Sequence, residues 1–226
     1  VMIKLEHIDR SEALRYLACR DEKKIGETAA AYLDECEKRL LEVISPKFLY
    51  KYFPLEFTGG RPVIKGCPLP LDGKEIAEHL EGCTGIILMC ATVGSEADRL
   101  IRVLQIEDMA KAVIADAFAG AAVEQVVNEA EKLIKDEFPG KYFTWRYSPG
   151  YGDFPIDVQK QLLDVLDAPR KIGLCTSDSR MLTPVKSVTA IIGTSESPLP
   201  QRKRGCITCN MRERCQFRKR GLHCGS

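Results

Sequence analysis

The sequence predicts an α+β protein, because helical and extended patterns follow one another without regular alternation. Apolar residues recur at helical spacing from Gly26 to Ile44 and, over the longest such stretch, from Asp108 to Asp136. Between these two patterns, the apolar run Gly85–Val93 ends at Gly94 and predicts a buried central strand. A doubly wound parallel sheet would instead require strands and helices in regular alternation, so that architecture is not favoured.

The remaining elements follow from local composition. The aromatic-rich segment Phe48–Phe57 contains Pro54, and this combination predicts an edge strand, because proline cannot donate to a sheet ladder. Ser95 begins a helix that continues to Glu107, and residues 157–166 predict a further helix. The β-branched residues of Ser187–Gly193 predict the last strand.

Composition indicates a globular chain of 226 residues, of which 45% are hydrophobic and 29% charged. No apolar run approaches the roughly 20 residues of a membrane span, and the first residues lack the apolar segment of a secretory signal. We therefore expect a cytoplasmic protein in a reducing compartment. Six of the ten cysteines lie singly among apolar neighbours, as buried free thiols do: Cys19, Cys36, Cys67, Cys83, Cys90 and Cys175.

Charge is distributed unevenly along the chain. From Gln201 onward there are eight lysines and arginines and one acid, whereas the preceding residues hold twenty-five basic and thirty-one acidic residues. The prolines of Pro198-Leu-Pro200 end regular structure between the two parts. We therefore predict a domain over residues 1–197 and a short basic, cysteine-rich tail over residues 198–226.

The tail carries the spacing Cys206-x-x-Cys209, followed by Cys215 and Cys224. Two thiolates separated by two residues can bind one metal ion from a single turn, and two further cysteines complete a tetrahedral site. Zinc and an iron–sulfur cluster are both held by four cysteines, and the sequence does not choose between them. Two disulfides or a disordered basic tail are the remaining interpretations.

The segment Arg146-Tyr-Ser-Pro-Gly-Tyr-Gly152 predicts a tight turn, because proline presets one backbone dihedral and glycine supplies the left-handed one. Such a turn holds the guanidinium of Arg146 near the phenol of Tyr151. A guanidinium and a phenol beside backbone amides suit a small ligand that carries a carboxylate and a heteroaromatic ring. Taken alone, the turn favours a structural role in which Arg146 is solvated.

Three ordered segments resemble the S-adenosylmethionine-binding activation domain of cobalamin-dependent methionine synthase. They are the R-x-x-P-G-Y turn that begins at Arg146, the segment Met181–Val188, and Ala115-Asp-Ala-Phe-Ala119, where the family has Glu in place of Asp116. The resemblance runs from about Leu14 to Gly193. It implies a twisted, largely antiparallel sheet with clustered helices, and it suggests that the domain occurs here as a stand-alone protein.

The resemblance also implies which residues bind the ligand. Arg146 corresponds to an arginine suited to the ligand carboxylate, Ser148 to a position that contacts the ligand through its backbone, and Tyr151 to a binding tyrosine. Asp116 keeps the negative charge of the family glutamate but is one methylene shorter, so we expect it to act through a water. A second family carboxylate, a few residues before the arginine, has no counterpart: the corresponding position is about Gly140, and Glu137 is the nearest acid. Asp9 is the candidate for a separate, N-terminal acidic position of the family, but the aromatic residues that follow that position in the family are missing here.

The function implied is that of a reactivation factor. In this family the activation domain presents S-adenosylmethionine to oxidised cobalamin, which is reduced by one electron and methylated. The partner would be a cobalamin-dependent methionine synthase without its own activation domain, and it would hold the cobalamin. A flavodoxin- or ferredoxin-type protein would donate the electron. No catalytic acid, base or nucleophile is required, and His7 and His79 are predicted to be solvated.

The alternative function is nucleic-acid binding, in which the basic cysteine-rich tail acts as a zinc knuckle against phosphates. Only the charge of the tail supports it. The preceding residues offer no basic stripe, and their aromatic residues are not interleaved with lysine or arginine. We therefore favour the reactivation factor, which acts on a protein partner and not on a membrane.

Overall fold

The computed structural model describes residues 3–19, 26–200 and 213. Its helices are α1 (Arg10–Tyr16), α2 (Glu27–Val43), α3 (Lys74–His79), α4 (Ser95–Glu107), α5 (Met109–Asp136), α6 (Val158–Leu166) and α7 (Ala168–Ile172). Its strands are β1 (Lys47–Thr58), β2 (Arg61–Ile64), β3 (Gly85–Thr92), β4 (Tyr142–Phe143), β5 (Cys175–Thr176), β6 (Leu182–Thr183) and β7 (Ser187–Ser195). These elements confirm the predicted α+β class.

A five-stranded antiparallel sheet has the order β2-β1-β3-β7-β4, and β5 and β6 form a separate pair. Every residue of β3 is buried, as expected for the central strand of the sheet. The predicted edge position of β1 is wrong, because β1 lies between β2 and β3. Its Pro54 is nevertheless accommodated, since β2 pairs only with Leu55–Thr58, beyond the proline.

The chain divides into two compact units. Unit 1 comprises Val1–Lys51, Leu88–Pro139 and Gln159–Thr189. Unit 2 comprises Tyr52–Ile87, Gly140–Val158 and Ala190–Ser226. From residue 201 onward, the structure describes only residue 213. The predicted boundary between residues 197 and 198 therefore stays a prediction.

Unit 1 is built around α5, which packs against α1, α2 and α4. Its Asp108 N-cap accepts hydrogen bonds from the amides of Ala110 (2.9 Å) and Lys111 (3.4 Å). Many of the buried positions of α5 are alanines, whose small side chains let neighbouring helices approach closely, and Phe118 on the same helix has no exposed surface. The helix therefore begins where the sequence predicts and buries mostly small apolar side chains.

Unit 2 contains the short helix α3, the β1–β2 hairpin and the turn that follows β4. Residues at the core of this unit include Leu80, Ile86 and Phe154, each at most 1% exposed. Tyr147 forms a two-way backbone bridge with Ile191 of β7, with both N···O distances at 2.9 Å. This bridge ties the start of that turn to the sheet.

The six described cysteines outside the tail are free thiols, as predicted. Cys36, Cys83 and Cys90 are buried, and burial raises the pKa of Cys90 to about 12. The expectation of burial is only partly met by Cys19 and Cys67, which are half-buried, and it is wrong for Cys175, which is exposed at the start of β5. Among the residues described, no helix combines the length and apolarity that a membrane crossing would need.

Candidate functional site

The arginine turn, residues 146–154 of unit 2, reverses the chain within a few residues. The amide of Tyr151 donates to the carbonyl of Ser148 (3.1 Å), and the amide of Phe154 donates to the carbonyl of Tyr151 (3.0 Å). The amide of Gly150 closes the loop by donating to the carbonyl of Phe154 (2.9 Å). The predicted turn chemistry is confirmed, since Gly150 has a φ of 90°, a conformation that side-chain-bearing residues rarely adopt.

Two glycines let α3 approach this turn closely. At Gly152, which has a φ of 55°, an added Cβ would clash with Oε2 of Glu75 and with the hydroxyl of Tyr147. At Gly73, a Cβ would lie 2.6 Å from Oδ1 of Asp153. Neither contact leaves room for a side chain, so the close packing of α3 on the turn requires glycine at both positions.

Asp153 uses this proximity to cap α3. Its carboxylate accepts hydrogen bonds from the amides of Lys74 (2.5 Å) and Glu75 (3.0 Å), which have no partner within the helix. The negative charge also lies at the positive end of the helix. The turn and α3 therefore hold each other in place.

An aromatic cluster supports the turn from the core of unit 2. The ring of Tyr147 lies 4.8 Å from that of His79, 5.2 Å from Trp145 and 6.3 Å from Phe154. The Tyr147 hydroxyl donates a long hydrogen bond of 3.3 Å to Oε2 of Glu75. Burial, together with the Glu75 carboxylate, raises the pKa of Tyr147 far above its ordinary value.

His79 belongs to this cluster, and the prediction that it is solvated is wrong. Its side chain is 4% exposed, its ring lies edge-on to Trp145 at 4.4 Å, and its Nε2 donates to the carbonyl of Trp145 at 3.0 Å. The charged neighbours of His79 in sequence do not all face solvent: Lys74 and Glu78 are exposed, but Glu75, one turn before His79, accepts the hydrogen bond of Tyr147 in the same cluster. His7, by contrast, is exposed as predicted.

The predicted ligand residues of the turn differ in exposure. Arg146 and Ser148 are half-buried, whereas Tyr151 is 60% exposed. The ring of Tyr151 lies 6.1 Å from that of Tyr147 and is tilted by 57° to it, and more than half of the residue is open to solvent. An exposed ring on a rigid turn can stack on a planar heterocycle with little loss of side-chain entropy.

Asp116, the fourth predicted ligand residue, lies in unit 1 and lines a groove of about 430 Å³. This Asp116 groove is bounded by the end of α1, one face of α5 and the chain before and at the start of β7; its lining residues are Tyr16, Leu17, Val113, Asp116, Ala117, Gly120, Val123, Glu124, Val185, Lys186, Ser187 and Val188. The ring of Tyr16 covers Gly120, where an added Cβ would lie 3.5 Å from the ring. Apolar walls and a few charged groups are typical of small-molecule sites.

Lys186 also lines this groove, and the sequence analysis gives it no role. Its Nζ lies 2.9 Å from Oδ1 of Asp116, and its side chain is 15% exposed against 58% for Asp116. The resemblance points to the segment Met181–Val188, which contains Lys186. It does not indicate the ion pair with Asp116, because the two residues are seventy positions apart and only the tertiary structure brings them together. The four predicted residues thus divide between the groove in unit 1 and the arginine turn in unit 2.

The two other acids considered have structural partners. Asp9 is the N-cap of α1, where its carboxylate accepts from the amide of Glu12 (3.1 Å) and the hydroxyl of Ser11 (2.6 Å). The bond from Ser11 and the bond from the Glu12 amide lower the pKa of Asp9. Glu137 accepts a hydrogen bond from the hydroxyl of Tyr50.

The predicted metal ligands Cys206, Cys209, Cys215 and Cys224 lie outside the described residues, as does the basic surface on which the nucleic-acid alternative depends. Within the part of the chain that the structure describes, no three or more His, Cys, Asp and Glu side chains are grouped so as to hold a metal ion. The zinc, iron–sulfur and disulfide interpretations of the tail therefore stay predictions.

Comparison with known proteins connects the groove and the turn to one family. Residues 88–198 match the model of the vitamin B12 dependent methionine synthase activation domain, a segment that contains all four predicted ligand residues and Lys186. The fold is similar to the crystal structure of the MetH reactivation domain bound to AdoHcy, with a TM-score of 0.62 and 15% identity, over 95% of this chain and 82% of that chain. At that identity the likeness shows the fold alone. No curated protein matches the sequence significantly.

Proposed function

Because the chain belongs to the activation-domain family of vitamin B12-dependent methionine synthases, we propose that it binds S-adenosylmethionine and supports reductive methylation of cobalamin held by a partner synthase. The observation that carries the proposal is the position of Asp116, Arg146, Ser148 and Tyr151 inside the matched segment, residues 88–198. The similar crystal structure is of a reactivation domain bound to AdoHcy, the compound that remains when S-adenosylmethionine has given up its methyl group.

The chemistry of the arginine turn suits the amino-acid and adenine parts of this ligand. A guanidinium offers two parallel N–H donors to a carboxylate, which makes Arg146 the anchor of the ligand carboxylate. The exposed ring of Tyr151 provides a flat surface for the adenine. Ser148 contributes its backbone, so we expect its side chain to matter little.

The Asp116 groove suits the positive charge of the ligand. S-adenosylmethionine carries a sulfonium and an ammonium, and Asp116 supplies an exposed carboxylate at the groove. Cobalamin supplies the methyl-accepting cobalt, and an external flavodoxin- or ferredoxin-type donor supplies one electron. The residues of this chain bind and orient the methyl donor and need not exchange a proton.

Ligand binding tests the first half of the proposal. Isothermal titration calorimetry with S-adenosylmethionine should show that Arg146→Ala weakens binding by about 1.5–3 kcal/mol, the range for a lost charged hydrogen bond. Arg102→Ala is the matched control, since Arg102 is exposed on α4, outside both the groove and the turn. Equal affinity of the wild type and Arg146→Ala would remove the arginine turn from the binding site.

Reactivation tests the second half. The chain should restore turnover to an oxidised cobalamin-dependent methionine synthase that lacks its own activation domain, when a chemical reductant and S-adenosylmethionine are present. Arg146→Ala should restore less at the same ligand concentration. If the chain binds the ligand but restores no turnover to the cognate synthase, the proposed partner is wrong and the proposed binding site still stands.

From the sequence alone, we also propose that Cys206, Cys209, Cys215 and Cys224 bind one zinc ion or iron–sulfur cluster in a tail that is separate from residues 1–197. Elemental analysis of the anaerobically purified full chain should find one centre per chain, reduced by Cys206→Ser or Cys209→Ser. Cys175→Ser is the control, because Cys175 is an exposed free thiol outside the tail. Absence of both metals, with the four cysteines oxidised in pairs, would favour disulfides.

A further inference from the structure

The ion pair between Lys186 and Asp116 changes the charge that the Asp116 groove offers to a ligand. Two carboxylates, those of Asp116 and Glu124, and one ammonium, that of Lys186, lie among the described residues that line the groove. Lys186 Nζ is 2.9 Å from Oδ1 of Asp116, within range of a charge-assisted hydrogen bond. Lys186 therefore offsets one of two negative charges facing a bound molecule.

The backbone fixes Lys186 in this position. Its carbonyl accepts a hydrogen bond from the amide of Val93 (3.1 Å), next to the end of β3. On one side, the amide of Val185 donates to Oδ2 of Asp98 (2.8 Å). On the other, the hydroxyl of Ser187 donates to the carbonyl of Pro184 at 2.7 Å. The root of the lysine is thus held on both sides, and its 15% exposed side chain is confined to the groove.

We propose that Lys186 sets the discrimination between S-adenosylmethionine and AdoHcy, an inference that rests on the proposed ligand-binding function. The two ligands differ by one methyl group and by the positive charge that the methyl group gives the sulfur. An unpaired Asp116 would attract that charge, whereas an Asp116 paired with Lys186 attracts it less. Lys186 thereby limits the preference for the charged methyl donor over the neutral product. A limited preference matters because donor and product must replace each other at the same site.

The test measures the ratio of the two affinities, which cancels contacts that both ligands share. Calorimetric titration of wild type and Lys186→Met with each ligand should show that the variant raises the preference for S-adenosylmethionine by about three- to tenfold, the range for one partly exposed charge. Methionine keeps the apolar stem and removes only the charge. Lys186→Arg should return the ratio to that of the wild type.

Two further variants isolate the Asp116 carboxylate. Asp116→Asn should lower the preference for S-adenosylmethionine, and adding Lys186→Met to Asp116→Asn should raise it by less than Lys186→Met does alone, since the paired carboxylate is gone. Lys160→Met is the matched control, because Lys160 forms a Lys–Asp pair with Asp164 on α6, outside the groove. The effect of Lys186→Met should also shrink at roughly 1 M salt, where charges are screened within a few ångströms.

An unchanged ratio in Lys186→Met, with both ligands still bound, would overturn the inference. If thermal unfolding shows that Lys186→Met does not fold, an unchanged ratio in Asp116→Asn would overturn it equally. Wild-type protein that binds neither ligand would overturn the proposed function, and this inference with it. A ratio altered to the same extent by Lys160→Met would also contradict it, because the effect would then come from net charge and not from the groove.

Discussion

The arginine turn in unit 2 and the Asp116 groove in unit 1 are built in different ways. The turn is held by backbone hydrogen bonds, by glycines that let α3 approach and by a buried aromatic cluster. The groove holds its charge with one ion pair, whose acid is 58% exposed. Backbone geometry restricts the residues of the turn, whereas solvent around the exposed Asp116 carboxylate weakens the contribution of the ion pair in the groove to stability. Substitutions should therefore change stability at the turn and ligand preference at the groove.

The largest effect on stability should come from Gly152→Ala in the turn. The added Cβ would clash with Glu75 and Tyr147, and alanine would also have to adopt a φ of 55°. Together these costs should lower the free energy of unfolding by about 2–4 kcal/mol. Urea denaturation followed by circular dichroism measures the change.

Gly140→Ala separates the two costs. Gly140 has a φ of 82°, but an added Cβ there has nothing within 4 Å. This variant should lose only the backbone contribution, about 1–2 kcal/mol. Equal losses in Gly140→Ala and Gly152→Ala would show that α3 does not press on the turn.

Asp153→Ala should have the next largest effect. It removes the carboxylate that accepts hydrogen bonds from the amides of Lys74 and Glu75, and loss of such a cap costs about 1–2 kcal/mol. Asp153→Asn, which keeps an acceptor oxygen, should recover part of the stability. If Asp153→Ala and Asp153→Asn unfold at the same urea concentration as the wild type, the mutual support of turn and helix is contradicted.

Tyr147→Phe should have a smaller effect of about 0.5–1 kcal/mol, because the hydrogen bond to Glu75 is long at 3.3 Å. The raised pKa of Tyr147 means that the folded protein holds this proton more tightly than the unfolded chain. The associated stability is present below about pH 10, the ordinary phenol value, and is lost as the pH rises further. Tyr147→Phe should flatten this alkaline decline in melting temperature.

The decline should not disappear entirely in Tyr147→Phe. Burial raises the pKa of Cys36 to about 11 and that of Cys90 to about 12, so these thiols also favour the folded state less as the pH rises above 9.0, the ordinary thiol value. An alkaline slope identical in wild type and Tyr147→Phe would mean that Tyr147 has the same pKa in both states.

The smallest effect on stability should come from the groove. The Lys186–Asp116 pair is largely exposed on its acidic side, so Lys186→Met should change the free energy of unfolding by less than about 1 kcal/mol. The same variant should alter ligand preference several-fold, as proposed above. Thermal melts of Lys186→Met and Gly152→Ala at one protein concentration compare groove and turn directly; a larger loss in Lys186→Met would reverse the comparison.

The long elements were predictable because each carries its own signal. The helices at 27–43, 95–107 and 109–136 show apolar periodicity with a clear start or stop, and the buried strand at 85–92 is a continuous apolar run. The turn was predictable for the same reason, since Pro149 and Gly150 act within a few residues. Short elements such as α3 and β2 have too few residues for any periodicity, so the sequence does not predict them.

Residues close together in the chain are therefore enough to predict the long helices, the central strand, the arginine turn and the family segments that carry Asp116 and Arg146. Three features depend on the folded chain: β1 lies inside the sheet, His79 is buried against Trp145, and Lys186 pairs with Asp116. Each of these depends on partners far apart in the chain, whose approach is set by packing of the whole unit and leaves no periodic trace in the residues themselves.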